Sequence, residues 1–478
     1  MDERTNENTQ QGNPRRRKRS QAQIFKEAYL PVIIGGVALI LILIFIVGSI
    51  TRAVQKNKIE KEASIAASES IAAEEARLNT LAQTLLAQAA PFAEAYEYEM
   101  ALSILNTFDG DISKYPALSD KVSEYSAAKA TMVAWTDPSK VPNLSFHLLM
   151  ADPKRAFDHD EYGTAFNRNY VTTDECQKIL QQLYDNGYVL VSLDDIVTTE
   201  TTQSGATVYK AKTLYLPEGK KPIILTQTNV NYNIYMVDGD GDKLPDKNGA
   251  GFASKLVLDE NGKILCEMVD SEGNTVTGAY DLVPILDAFV EAHPDFSYKG
   301  AKAILALTGY NGLFGYRTYS GAEDDFGADA YNEAVAEATK VAAALREGGY
   351  DLACYTYENV PYGEYSEGMV KNDLGSWVRE CVPILGSVNI MVYAQQSDIA
   401  GSGNYSGEKY TALMEAGMRY YLGFCTNDRP WASFGPNYFR QGRILVTGSN
   451  LAHHANWFEG MFDAEQVLDM EARGQVPA

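Results

Sequence analysis

The sequence is short of the residues that build most metal and nucleophile sites. It has 5 histidines and 5 cysteines in 478 residues. Cys176, Cys266, Cys354, Cys381 and Cys425 form no Cys-x-x-Cys pair, which argues against a thiolate zinc site. They sit in apolar stretches such as Leu352-Ala353-Cys354, the setting of buried free thiols. No Gly-x-Ser-x-Gly elbow occurs, which disfavours a Ser-His-Asp hydrolase. Basic residues are the minority, 41 Lys and Arg against 63 Asp and Glu, for a net charge of -22. Phosphate contacts need Lys and Arg, so the balance argues against a nucleic-acid partner. What is present is ordinary for a folded chain, with 45% apolar and 22% charged residues, and its length predicts two or three units. The 30 tyrosines suit contact with sugars or polar polymers, and equally half-buried packing.

One long apolar run stands out. Pro31 to Ile50 carries no charged side chain. At helical rise it spans roughly 30 Å, the thickness of a bilayer core. Residues 30–50 are therefore predicted to be a transmembrane helix. The tail before it is long and no clear cleavage site follows, so the reading is an uncleaved signal anchor. Arg15-Arg16-Arg17-Lys18-Arg19 and Lys26 precede the span, whereas the basic residues after it are diluted by Glu60 and Glu62. That bias places a disordered basic tail, 1–29, in the cytoplasm and the C-terminal body outside a cell membrane crossed once.

Residues 51–137 are predicted to be a helical stalk. Ile59 to Ala90 has no Gly or Pro and is rich in Ala, Glu, Ser and Leu. Pro91 marks a break or a new first turn, Phe92–Phe108 a second helix closed by Gly110, and Lys121–Val133 a third. The pairing is like one tetratricopeptide hairpin, or a plain helical spacer.

From 138 to 478 short apolar runs alternate with helical segments. Strands are predicted at Leu144–Met150, Tyr188–Leu193, Ile223–Leu225, Ala301–Thr308, Asp351–Tyr357, Val388–Tyr393, Tyr420–Cys425 and Ile444–Thr447. Helices are predicted at Thr173–Asn186, Asp281–His293, Ala328–Glu347, Ser366–Leu385 and Tyr405–Met418. This rhythm predicts an α/β fold, a complete or distorted (β/α) barrel. An insertion at 236–280, with a hairpin turning at Asn261-Gly262, interrupts it on the side where barrel sites lie.

The order of these pieces resembles the polysaccharide deacetylase family, the NodB-homology domain of carbohydrate esterase family 4. The likeness covers roughly 141–460. Val141-Pro142-Asn143-Leu144-Ser145-Phe146-His147 is similar to its first strand. Val171-Thr172-Thr173 through Asp194-Asp195 is similar to its first helix and second strand. Ile223-Ile224-Leu225-Thr226 falls where that family reaches Thr-Phe-Asp-Asp-Gly, and Gly348 to Thr356 where it approaches His-Ser/Thr-x-x-His. The resemblance implies a carbohydrate N- or O-deacetylase in which one Asp and two His hold a divalent metal and a second Asp is general base. Here those positions read Thr228, Asn229, Tyr355 and Asn359, and no two histidines have the required spacing of four. Amide and phenol are poor zinc ligands beside imidazole and carboxylate. The zinc-type metal site and its activity are therefore expected to be degenerate. Leu451-Ala452-His453 matches the family's late Leu-x-His, a short motif that arises easily by chance.

Asp238, Asp240, Asp242 and Asp246 follow the alternate spacing of a calcium loop, and also that of a solvated turn. Arg317, Tyr393, Arg429 and Trp431 follow strands and are candidates for a sugar-binding groove. Glu358, Asp398 and Asp428 are strand-end carboxylates from which a glycosidase pair would have to come. The expectation is a membrane-anchored, deacetylase-like protein of the cell envelope that binds or scaffolds polysaccharide or envelope proteins. The alternative is an active deacetylase or glycoside hydrolase with a rearranged site.

Overall fold

The computed structural model describes residues 63–158, 162–401, 403–425 and 429–478. The tail 1–29, the apolar span 30–50 and Asp428 lie outside the described residues. Among the described residues no helix is long and apolar enough to cross a membrane.

Three helices come first: α1 (Ala63–Glu94), α2 (Tyr98–Leu105) and α3 (Pro116–Ala130). Helix α1 runs through Pro91 rather than breaking there. Pro91 lies in the last turn, where its missing N–H removes one bond, and Ala89 and Ala93 beside it share an apolar cluster with Ala101 and Leu105. The reversal falls instead at Tyr96, whose φ is 65°. Its ring stacks on Tyr298 and its hydroxyl donates to the Asp295 carbonyl at 2.7 Å. The Lys299 N–H donates to the Ala95 carbonyl at 3.0 Å, so the helices dock firmly on the next unit.

That unit is a closed parallel barrel. Its strands are β1 (Asn143–Phe146), β2 (Lys221–Thr228), β3 (Ala303–Leu307), β4 (Asp351–Cys354), β5 (Ile390–Val392), β6 (Tyr420–Phe424) and β7 (Phe439–Leu445). Each pairs in parallel with the next, and β7 pairs with β1. Helices α4 (Thr173–Asp185), α5 (Leu282–Ala292), α6 (Ala328–Glu347), α7 (Glu367–Ser376) and α8 (Gly407–Glu415) lie between successive strands up to β6. Helix α4 begins with a capping box, Thr172 with Glu175. Beyond α7 the chain makes a π turn, Trp377–Cys381, before Val382–Leu385, so the helix expected over Ser366–Leu385 is in three pieces. Pro383 has no N–H to give the Arg379 carbonyl, which disfavours a regular turn there. The insertion after β2 carries the expected hairpin, Lys255–Leu258 with Ile264–Val269, and a third strand, Thr275–Gly278.

Strand alternation sorts side chains between the barrel interior and the helical layer. Leu144, Phe146 and Leu225 face the helices. Ile304, Ala306, Ala353, Val392 and Leu422 fill the interior on one side. On the other side β7, β1 and β2 carry polar residues inward. Asn143 Nδ2 donates to Gln441 Oε1 at 3.1 Å, and Thr226 Oγ1 donates to Asn143 Oδ1 at 2.8 Å. This ladder climbs toward the C-terminal ends of the strands.

Candidate functional site

The ladder ends in a cluster at the barrel mouth. One layer above Asn143, Arg443 is fully buried. It donates from Nη1 to Ser145 Oγ at 2.8 Å, from Nε to the Gly423 carbonyl at 3.1 Å and from Nη2 to the Tyr393 carbonyl at 3.1 Å. Above it, Thr228 Oγ1 lies 2.8 Å from His147 Nδ1 and 3.2 Å from the Phe146 carbonyl. The Thr228 hydroxyl also meets the Tyr355 phenol. Four strands, β1, β2, β4 and β7, thus contribute to one polar site.

Its electrostatics are set by burial and by Arg443. Desolvation, and then the Arg443 charge, push the His147 pKa down to about 4, so the imidazole is neutral at neutral pH. Burial raises the Tyr355 pKa against the opposing pull of Arg443 and the Thr228 hydroxyl, and the phenol stays protonated. Desolvation lowers the Arg443 pKa.

Strained loops hold these groups. Asn229, Tyr232, Thr356, Asn359, Gln395 and Gln396 all have φ between 49° and 63°, on the loops that follow β2, β4 and β5. Such backbone persists only where surroundings over-determine it. Asp373 supplies part of that constraint, accepting from the Tyr357 N–H at 2.7 Å, the Glu358 N–H at 2.8 Å and the Tyr362 hydroxyl at 2.6 Å. Buried Asp281 does the same for the first two loops, accepting from the Leu149 N–H at 2.9 Å, Gln227 Nε2 at 2.6 Å and the Tyr232 hydroxyl at 2.7 Å.

Tyrosines form the rim. The Tyr170 ring lies 5.2 Å from the His147 ring, and its hydroxyl is 3.4 Å from that of Tyr235. Tyr235 in turn packs 5.6 Å from Tyr162, and both are exposed, at 40% and 39%. Burial pushes the Tyr310 pKa up to about 12 beside Tyr235.

The positions at which the family carries metal and base do not offer a metal a suitable donor set. Thr228 and Tyr355 meet through hydroxyls, and Asn229 and Asn359 contribute amides whose Oδ1 atoms are buried and unpaired among the described residues. Among the described residues, the one cluster of three metal-ligating side chains lies elsewhere, at Asp238, Asp240 and Asp246. There the same oxygens close the turn. Asp238 accepts the N–H groups of Asp240, Gly241 and Lys243, and Asp246 Oδ2 those of Gly239 and Asp240. Asp242 stands outside the trio and accepts from the Leu244 N–H.

Of the expected groove residues, Tyr393 and Trp431 share Tyr405 and Arg440 as neighbours. Arg317 donates to the Tyr232 and Asn311 carbonyls, with its pKa lowered to about 10 by burial. Tyr393 is fully buried against Tyr405 and Tyr421. Trp431 lies over Arg440, and Arg429 is exposed. Of the strand-end carboxylates, Glu358 is exposed, while Asp398 is bound to Arg440 Nη2 and the Tyr405 hydroxyl, both at 2.8 Å. His453 turns toward the Val476 carbonyl, at 3.2 Å. A cavity of about 400 Å³ lies between α6, the loop after β3 and the π turn, lined by Tyr319, Tyr331, Arg379 and Glu380.

Sequence reading missed Arg443 and passed over His147. His147 had a legible signal, since it directly follows the first strand. Arg443 had none, because β7 was expected at Ile444–Thr447.

The fold and site define an α/β protein, a closed seven-stranded parallel barrel with a polar, tyrosine-rimmed mouth. No family model matches the chain, and no curated protein matches it. Among solved structures, it is similar to the Streptococcus pyogenes deacetylase PplD in complex with acetate. That alignment covers 66% of this chain and 97% of the other, at 14% identity and a TM-score of 0.32.

Proposed function

We propose that the protein is a membrane-anchored, deacetylase-like barrel that binds polysaccharide of the cell envelope at its mouth, and does not perform metal-dependent deacetylation. The observation that carries this reading is the make-up of the mouth. The hydroxyls of Thr228 and Tyr355 and the amides of Asn229 and Asn359 stand where the chemistry requires carboxylate and imidazole ligands. Exposed Tyr162 and Tyr235 on the rim offer flat, amphipathic faces of the kind that pack on sugar rings.

An acyl-transfer mechanism through Thr228 is not supported by the same geometry. His147 Nδ1 lies within reach of Thr228 Oγ1, but an imidazole with a pKa of about 4 is a weak base at neutral pH. The test is twofold. The full chain in mild detergent is expected to bind chitotriose or peptidoglycan fragments by calorimetry and to release no acetate from them. Acetate release that a chelator abolishes and Zn²⁺ restores overturns the proposal.

A further inference from the structure

The proposal above leaves the kind of polysaccharide open, and the buried charge at the mouth narrows it. Arg473 and Arg440 are buried and each is bound to a carboxylate, Glu175 at 2.6 Å and Asp398 at 2.8 Å. Arg443 is not. Its three hydrogen bonds go to two carbonyls and a serine hydroxyl, and it has no carboxylate partner among the described residues. A guanidinium taken out of water without a counter-charge is strongly disfavoured unless something compensates. Neutral acceptors offset part of that cost.

The position of Arg443 says where the remainder can be met. Ser145 ties it to the strand that ends at His147, and the Tyr393 carbonyl ties it to the C-terminal end of β5. Directly above are His147, Thr228 and Tyr355, none of them anionic at neutral pH. Among the described residues, these three groups directly above the cation are neutral, and two of them, Thr228 and Tyr355, carry hydroxyls. Two further buried acceptor atoms stand unpaired near the strand ends, Asn229 Oδ1 and Thr308 Oγ1, the second of which can also donate. Cation and donors together match an anionic oxygen group that also carries sugar hydroxyls.

Resting on the polysaccharide-binding reading, we infer that the mouth selects an anionic glycan unit, one bearing a carboxylate or a phosphodiester, over a neutral one. The anion sits on the mouth side of Arg443, where the Tyr355 hydroxyl can turn from Thr228 to it. The acidic surface of the whole molecule, with its net charge of -22, makes such selection depend on this local cation rather than on long-range attraction.

The experiment compares four probes on the full chain in mild detergent by calorimetry: trigalacturonate, its methyl ester, a glycerol-phosphate oligomer and chitotriose. Trigalacturonate or the glycerol-phosphate oligomer is expected to bind at least tenfold more tightly than the ester and chitotriose, and whichever prevails identifies the source of the anion. Tyr355→Phe, which keeps the ring, is expected to cut that preference several-fold. Arg443→Gln is expected to abolish it, provided the variant melts cooperatively. Equal binding of acid and ester by the unmodified protein overturns this inference and leaves the polysaccharide reading standing, whatever the variants do. Failure of all four probes to bind overturns both.

Discussion

Glu175 and Arg473 show how a buried charge is kept when it does have a partner. Both side chains are fully buried, and Arg473 reaches Glu175 through Nε and Nη2, each at 2.6 Å. Arg473 also donates to the Asn167 and Tyr170 carbonyls, fastening the C-terminal segment to the start of α4. Removing one member leaves the other charged and unpaired, so Arg473→Met is expected to cost about 3–5 kcal/mol in urea unfolding. The double variant Glu175→Gln, Arg473→Met is expected to recover part of that loss. A single variant as stable as the parent shows the pair to be dispensable. His147 supports a different measurement. Its folded pKa is about 4 against an ordinary 6.5, so the unfolded chain takes up the proton first as pH falls. Stability from this group is therefore whole above pH 6.5 and drains away between 6.5 and 4. Melting temperature against pH is expected to fall less steeply through that window in His147→Gln than in the parent. An NMR titration that places the His147 midpoint near 6.5 contradicts the argument.

The loops at the mouth are only as well placed as the elements beneath them. Gly309 follows β3 and lies against the loop after β4. A Cβ there would come 2.2 Å from Tyr357 Cε2 and 2.8 Å from Cys381 Sγ. The Tyr357 ring cannot swing freely, because its N–H is held by Asp373 and its hydroxyl by Glu380. Gly309→Ala is expected to destabilise by about 1–3 kcal/mol and to weaken glycan binding by moving Tyr355, two residues along the same loop. Unchanged stability and binding in that variant would show the loop to be slack. The elements also mark how far the sequence could be read. Six barrel strands announced themselves as apolar runs close to where they lie, because Val, Ile, Leu and Ala face either the helices or the barrel centre. Strand β7 did not. Phe439-Arg440-Gln441-Gly442-Arg443 reads as a polar loop, yet Gln441 bonds inside the barrel and Arg440 is paired with Asp398 outside it. Buried polar partners are tertiary facts that a one-dimensional pattern does not carry. Thr228 and Tyr355 were found by their resemblance to motif positions, and the residue that charges their site was missed because it sits on the illegible strand. Helix α1 failed in a smaller way, since the sequence shows Pro91 but not the packing that lets the helix pass it.

For the molecule as a whole, the proposal turns on whether residues 30–50 span a membrane and, if they do, on which side the barrel then lies. The helical unit docks beneath the barrel through Tyr96, Lys299 and Asp295, all on the side opposite the mouth. The C-terminal end of α1 thus meets the barrel on the face opposite the mouth. Given such a span, the side would be set by charge. Arg15-Arg16-Arg17-Lys18-Arg19 ahead of the span, against mixed charge behind it, is expected to keep the N-terminus in the cytoplasm. A reporter active only outside the membrane is expected to work when fused after Ala478 and to fail at the N-terminus. Protease added to spheroplasts is expected to digest the barrel and spare the first 29 residues. Replacing the five-residue basic run with Gln, Ser and Asn is expected to randomise or invert this result. The barrel's acidic surface gives a second consequence, since outside the cell it would meet wall polymers rather than nucleic acid. If the barrel is instead protected from protease in the unmodified protein, envelope glycans cannot reach the mouth, and both the polysaccharide reading and the anion preference built on it fall together.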